Sequence, residues 1–427
     1  MSTHKNLMQV IVLAVLAGFV FSGCGKKELE TGKVKLVLVD ALYGKWIELN
    51  NKIIKEFEKE YPNIEVELIS APDYPQKVQT MITGGEPPDI TYFQIEEFRP
   101  FAIRGVLMDL NEFIRKDKEF NPKDYYSFMI EDSKYENKIY WMPAYFSPVA
   151  LFYNKTLFDE AGLEYPNDKW TWKEFLTAAK KLTKDKDGDG RTDQFGFGGG
   201  LWNTHRWPIM VWQNGGEIFN KDGTKCVMDS KEAVESIQFC YDLEHKYNVA
   251  PKIEEGEQAK GQDINQMFSS GRIAMLFTTR YYVPVLRQTK DFQWDVAPVF
   301  HQKRRSTCYV AGGYSILKGS KHPEEAWKFV KFLVGKTGAR LSAEAGRALP
   351  ALKSIVEEVV IHPGIPPEND KVFIELAKYS RSAPDMMIGG DVLSKLNMQF
   401  EYMRIGKLTP EELCKKFTEI ANTSLKK

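Results

Sequence analysis

Metal and nucleophile chemistry have little to work with in this chain. It carries 5 cysteines and 6 histidines in 427 residues. Cys226, Cys240, Cys308 and Cys414 are far apart, with no CxxC spacing, so neither a zinc site nor a dense disulfide framework is indicated. An oxidising compartment would permit a bridge among them without fixing the pair. There is no HExxH and no GxSxG. Gly335-Lys336-Thr337 lacks the upstream glycine of a phosphate-binding loop, and Gly196 to Gly200 lacks the spacing of a dinucleotide turn. Net charge is also missing, with 58 basic side chains against 58 acidic ones. A balanced chain offers no global field for nucleic acid, so no nucleic-acid partner is expected.

One long apolar run is present, from Leu7 to Phe21 behind Lys5. It is shorter than the roughly 20 residues a membrane span needs, and small residues follow it, the pattern of a secretory signal. It ends in Phe21-Ser22-Gly23-Cys24, which resembles the lipobox of bacterial lipoproteins, with Phe21 in place of the usual Leu. That resemblance implies a signal peptide over 1–23, a lipid on Cys24 as the only membrane anchor, and a polar tether over 24–33. It places the protein outside the cytoplasm.

The remaining stretch of about 400 residues is long enough for two domains. Strand and helix patterns alternate along it. Lys33 to Ala41 reads as a buried strand, and Trp46, Leu49, Ile53, Ile54 and Phe57 recur at helical spacing until Pro62. Ile64, Val66 and Leu68 alternate with glutamates as a second strand. A helix through Val78 to Ile82 and a strand from Asp89 to Phe93 follow. Thr171 and Glu174 form a capping box that opens a helix to Leu182, and Thr409, Pro410 and Glu412 open the last helix. Such alternation indicates α/β architecture.

Several segments together carry a family resemblance. In order they are Ile53–Leu68, Gly84–Phe93, Tyr140–Leu163, Trp170–Leu182, Phe268–Leu276, Val310–Leu333, Ala348–Ser354 and Gly406–Leu413. The chain resembles the family 1 extracellular solute-binding proteins, the group that includes maltose-binding proteins. The resemblance implies a periplasmic-binding-protein-like α/β fold with two mixed α/β lobes, a hinge and a ligand cleft between the lobes. It implies an N-terminal lobe from 34–147 and 300–338 and a C-terminal lobe from 148–299 and 339–427. Crossings are expected near Phe146–Ala150, Val299–Gln302 and Lys336–Leu341. The function implied is capture of a sugar, an oligosaccharide, by a monomer that passes it to the membrane permease of an ATP-binding-cassette importer.

A sugar ring has apolar C–H faces and a rim of hydroxyls, so its site needs flat aromatics beside polar side chains. Gly198 to Phe219 concentrates Trp202, Trp207 and Trp212 beside Asn203 and His205, with Trp207 and Trp212 equally at home in a core. The candidate ligand residues are Phe93, Glu96, Tyr145, Trp202, Asn203, Arg280, Tyr281, Gly312, Gly313 and Arg347. Family position points to Tyr281 as a ring stacked on the sugar, to Phe93 and Glu96 as cleft lining, and to Gly312-Gly313 as backbone close to the ligand. Arg280 and Arg347 are compatible with an acidic sugar or with neutral hydroxyls. Where relatives carry a late Trp, this chain has Met386-Met387-Ile388-Gly389-Gly390, one stacking platform fewer.

Asp185, Asp187, Asp189 and Asp193, with Gly190, reproduce the first nine positions of an EF-hand-type loop, but the twelfth, normally Glu, is Gly196. A structural calcium ion and a solvated Asp/Gly turn both fit that spacing; no cofactor is otherwise required. No catalytic residue is assigned. The competing enzyme reading is a secreted glycoside hydrolase, which needs two carboxylates about 5–10 Å apart.

Overall fold

The computed structural model describes residues 32–41, 44–198, 201–252, 264–362, 364–384 and 390–425. The expected signal peptide over 1–23, Cys24, nearly all of the expected tether over 24–33, and Met386 to Gly389 lie outside the described residues.

The polypeptide is organised by one long strand, Met142–Asn154, whose 13 residues are all buried. Its first half pairs antiparallel with Thr307–Ile316, from Met142↔Tyr314 to Pro148↔Tyr309. Its second half pairs with Met275–Thr279 on one side and Trp294–Ala297 on the other, starting at Val149↔Thr279. The strand therefore changes sheets between Pro148 and Val149. The fold has two lobes, and this strand joins them.

The first sheet runs in the order Leu349–Pro350, Met142–Asn154, Thr307–Ile316, Ile90–Gln94, Val34–Asp40, Ile64–Ser70. Val34–Asp40 is parallel to both Ile64–Ser70 and Ile90–Gln94, with helices Lys45–Glu60 and Tyr74–Thr83 between them in sequence. Parallel neighbours need such crossovers, and burial on both faces explains the unbroken apolar run in the first strand. Leu49, Ile53, Ile54 and Phe57 face inward from the first helix. Phe57 packs on Phe329 of helix Pro323–Val334 at 4.7 Å between ring centroids.

The capping box at Thr171 forms as its spacing predicts, and Thr409 and Glu412 exchange the equivalent bonds. One expectation fails. The crossing expected at Lys336–Leu341 falls inside helix Lys336–Glu344, which packs on the helices of the first lobe. The chain then stays with the first sheet, because Leu349 and Pro350 pair with Phe146 and Tyr145. A lobe boundary at residue 339 is thus too early. Among the described residues no helix is long and apolar enough to cross a membrane.

Candidate ligand-binding site

A cavity of about 500 Å³ opens beside the point where the long strand changes sheets. Its lining comes from seven places in the chain, and local structure fixes each. Trp46 projects from the first turn of helix Lys45–Glu60, just after Gly44, whose positive φ of 53° turns the chain into that helix. Tyr74 begins helix Tyr74–Thr83, whose N-cap is Asp73. Tyr92 and Gln94 lie two apart on strand Ile90–Gln94 and so share a face. Tyr145 comes from the first half of the long strand, and Val310 and Ala311 from its neighbour.

Tyr281 is delivered from the other lobe. It sits in the tight turn Arg280–Tyr282 at the end of strand Met275–Thr279. The Arg280 backbone N–H donates to Ser147 Oγ at 2.8 Å, and the Arg280 guanidinium meets Asp370 at 3.4 Å through both Nε and Nη2. These contacts pin the turn that presents Tyr281. Arg347 follows helix Lys336–Glu344, and the pairing of Leu349 with Phe146 draws it over Tyr145.

The rings form a connected wall. Tyr74 and Tyr92 lie 5.4 Å apart, Tyr92 and Tyr145 6.4 Å, and Tyr145 and Tyr281 6.1 Å. The Tyr145 hydroxyl donates to the Tyr92 hydroxyl at 2.8 Å, which leaves the Tyr92 proton to point elsewhere. The Arg347 guanidinium lies over Tyr145 at 4.7 Å and over Trp46 at 5.5 Å. Tyr74 donates its hydroxyl proton to Glu97, which also accepts from the Gln94 backbone N–H at 2.8 Å. Burial pushes the Glu97 carboxyl up to about 7, against that backbone bond. Burial raises the Tyr92 hydroxyl well above the usual tyrosine range, so it stays a neutral donor. Behind the cavity, burial lifts Asp40 to about 6 despite the opposing charge of Arg347.

Three of the residues singled out in the sequence line this cavity: Tyr145, Tyr281 and Arg347. The others stand elsewhere. Phe93 is 0% exposed and packs on Phe101 in the core, because alternation along its strand sends Tyr92 and Gln94 to the cavity and Phe93 to the opposite face. Glu96 is half-buried in the turn after that strand and is not part of the lining. Trp202 is buried against Phe400, with its Nε1 donating to Glu244 at 2.7 Å. Asn203 is exposed and caps the His205 N–H. Arg280 is buried in its ion pair with Asp370 and serves to position Tyr281. Gly312 and Gly313 do not line the cavity; they let the sheet backbone pass beneath the aromatic wall. A Cβ at Gly312 would lie 2.3 Å from the Tyr145 hydroxyl oxygen, and one at Gly313 would lie 2.2 Å from the Met142 carbonyl oxygen.

Sequence reasoning missed Trp46, Tyr74, Tyr92 and Gln94. Strand alternation alone could have exchanged Phe93 for Tyr92 and Gln94. Trp207 and Trp212 are core, as their apolar surroundings allowed. A second cavity, of about 550 Å³, is lined by Trp212, Phe219 and the Glu217–Arg381 ion pair among others. Apart from Trp212, which the sequence placed equally in a core, it contains none of the residues expected at the ligand site.

In the acidic loop, carboxylate oxygens of Asp185, Asp187 and Asp193 lie within 4.8 Å of one another. Asp185 accepts from the Gly188 and Gly190 N–H groups, which hold its carboxyl below the usual range, the Gly190 bond first. Asp189 turns away to accept from the Arg191 N–H and does not join the cluster. Three donors on one turn fit a hard divalent cation with part of its shell left to water.

Residues 47–340 match the family model described as bacterial extracellular solute-binding protein. The fold is similar to an ABC substrate-binding protein from Listeria monocytogenes solved with cycloalternan, at 31% identity and a TM-score of 0.80, covering 92% of this chain and 99% of that one. The maltodextrin-binding protein of Bacillus subtilis is 23% identical over 75% of this chain and 73% of its own length. The maltotriose-binding protein of Pyrococcus abyssi is 21% identical over 72% and 64% respectively. This chain belongs to the bacterial extracellular solute-binding protein family.

Proposed function

We propose that the protein captures a saccharide outside the cytoplasm and presents it to the permease of an ATP-binding-cassette importer. The observation that carries this reading is the wall of Trp46, Tyr74, Tyr92, Tyr145 and Tyr281, beside the donors of Arg347 and Gln94. Flat rings match the apolar faces of pyranoses, and the donors match hydroxyl and ring oxygens. The family and the sugars in the relatives' names support it. The wall is contributed from both sheets, so a bound sugar would hold the two lobes together and favour a closed state.

No carboxylate is among the described residues lining the cavity, which supports capture over hydrolysis by a carboxylate pair. The reading extends to a monomer held at the membrane by a lipid on Cys24, and to a structural calcium ion on Asp185, Asp187 and Asp193. Calorimetric titration with a panel of oligosaccharides, with product analysis afterwards, tests the core of the proposal. Binding without cleavage supports it. Cleavage, or binding of no saccharide, contradicts it.

A further inference from the structure

Arg347 is 6% exposed, and the surface left to it is the cavity. Two ring faces frame its guanidinium. Among the described residues no protein acceptor takes a hydrogen bond from that group, so its N–H donors are available to whatever enters. A cation so enclosed needs a countercharge. Asp40 supplies one from behind. It ends strand Val34–Asp40, is 0% exposed, and is fixed by Asn50 Nδ2 at 2.9 Å and the Tyr314 hydroxyl at 3.3 Å. Among the described residues its Oδ1 has no hydrogen-bond partner. Asp40 and Arg347 act on each other electrostatically yet make no contact within 4.0 Å. The base of the cavity is therefore neutral as a pair, with the cation in front and the anion sealed away.

We propose, on the footing of the saccharide reading, that Asp40 is a built-in counter-ion that makes Arg347 select neutral sugars and reject uronic acids. A neutral sugar satisfies the guanidinium donors and leaves the charge balance untouched. A sugar carboxylate on Arg347 would place a second anion in the same enclosed cluster, and one of the two would have to take up a proton. Discrimination then comes from a repulsive element as much as from an attractive one. Asp40 touches no ligand in this account; it is a positioning residue that acts through Arg347.

The test is titration calorimetry on the full chain with two matched oligosaccharide series, one neutral and one carrying a carboxylate at C6. Wild type is expected to favour the neutral series at least a hundredfold at pH 7.5. Asp40→Asn, close to isosteric, is expected to shrink that preference at least tenfold. In wild type the affinity for the acidic series should rise as pH falls from 7.5 to 5.5. The groups that face Asp40 are Asn50, Tyr314 and Arg347, of which none titrates in that window. Glu97 does titrate there, but it is common to both proteins, so the rise should flatten in Asp40→Asn. If Asp40→Asn does not fold, the pH series is run on Glu97→Gln, which removes the other group titrating in that window: a rise that persists there supports Asp40, and one that vanishes overturns the inference. A wild type that binds the acidic series as well as the neutral one overturns the inference while sparing the saccharide reading. So does a preference that neither the variant nor pH alters. Failure to bind any saccharide overturns both.

Discussion

The ring of Tyr281 meets the ring of Tyr145 edge-on, with centroids 6.1 Å apart and planes at 79°. Tyr145 belongs to the half of the long strand that pairs in the first sheet, and Tyr281 follows a strand of the second. This contact therefore spans the two lobes at the wall of the cavity. A sugar stacked on Tyr281 would remove about 50–100 Å² of apolar surface from water, worth on the order of 1–3 kcal/mol. Tyr281→Ala is expected to weaken saccharide binding roughly tenfold to a hundredfold. Tyr281 is only half-buried, so the melting temperature should stay near that of wild type. Calorimetry paired with a melting curve checks both; unchanged affinity would remove Tyr281 from the site.

Arg280, its neighbour in sequence, should behave in the opposite way. Arg280→Met strands Asp370, a carboxylate 2% exposed, leaving Arg287 at 3.8 Å as its ion-pair partner among the described residues. Loss of one member of a buried pair costs about 3–5 kcal/mol. Chemical denaturation should register that loss. A variant as stable as wild type would show the ion pair to be dispensable.

Gly312→Ala tests the close approach under the wall. The added methyl would crowd the hydroxyls of Tyr145 and Tyr92 at 2.3 and 2.5 Å. Displacement of that pair should cost roughly 1–3 kcal/mol of stability and weaken sugar binding together with it. Unaltered affinity would mean that the tyrosine pair plays no part in binding.

The legibility of the fold and of the site differed for a physical reason. Periodicity and end signals are local. The strands at Val34 and Ile64 and the capping boxes at Thr171 and Thr409 could therefore be read from a few neighbouring residues. A cleft is not local. Trp46 sits one turn before the inward-facing Leu49 on its helix, and only the approach of Arg347, 301 positions later (347 − 46), makes it cavity lining. Trp202 and Arg280 have the residue types of a sugar site, yet Glu244 and Asp370 claim them, and those pairings cross 42 and 90 positions. Phe93 failed by a single step of strand alternation, since buried strands show little polar and apolar contrast between their faces.

Stability should carry a pH signature from Asp40. Its folded value near 6 lies above the unfolded 3.8, so the native state holds the extra proton between those values. The favourable contribution is present at low pH and is lost as pH rises through about 6. Relative to Asp40→Asn, wild type should lose on the order of 2–3 kcal/mol between pH 4.5 and 7.5. Urea unfolding of both proteins across that range provides the comparison, and parallel curves would contradict the assignment.

For the acidic loop, excess calcium should raise the melting temperature of metal-free protein, and a chelator should reverse the effect. Asp185→Asn together with Asp193→Asn should abolish the response, whereas Asp189→Asn should leave it, since Asp189 lies outside the cluster. No calcium response in the wild type would leave the loop a plain turn. For the anchor, Cys24→Ser should release the protein from membranes into the soluble fraction, and full retention would refute lipidation at that residue.

The central claim is tested most directly by titrating the purified chain with oligosaccharides while small-angle scattering follows its radius of gyration. Saturable binding with a smaller radius at saturation and intact sugar recovered afterwards is the predicted result. Saturation with no change in radius, or recovery of cleaved sugar, would contradict a capture protein that closes on its ligand.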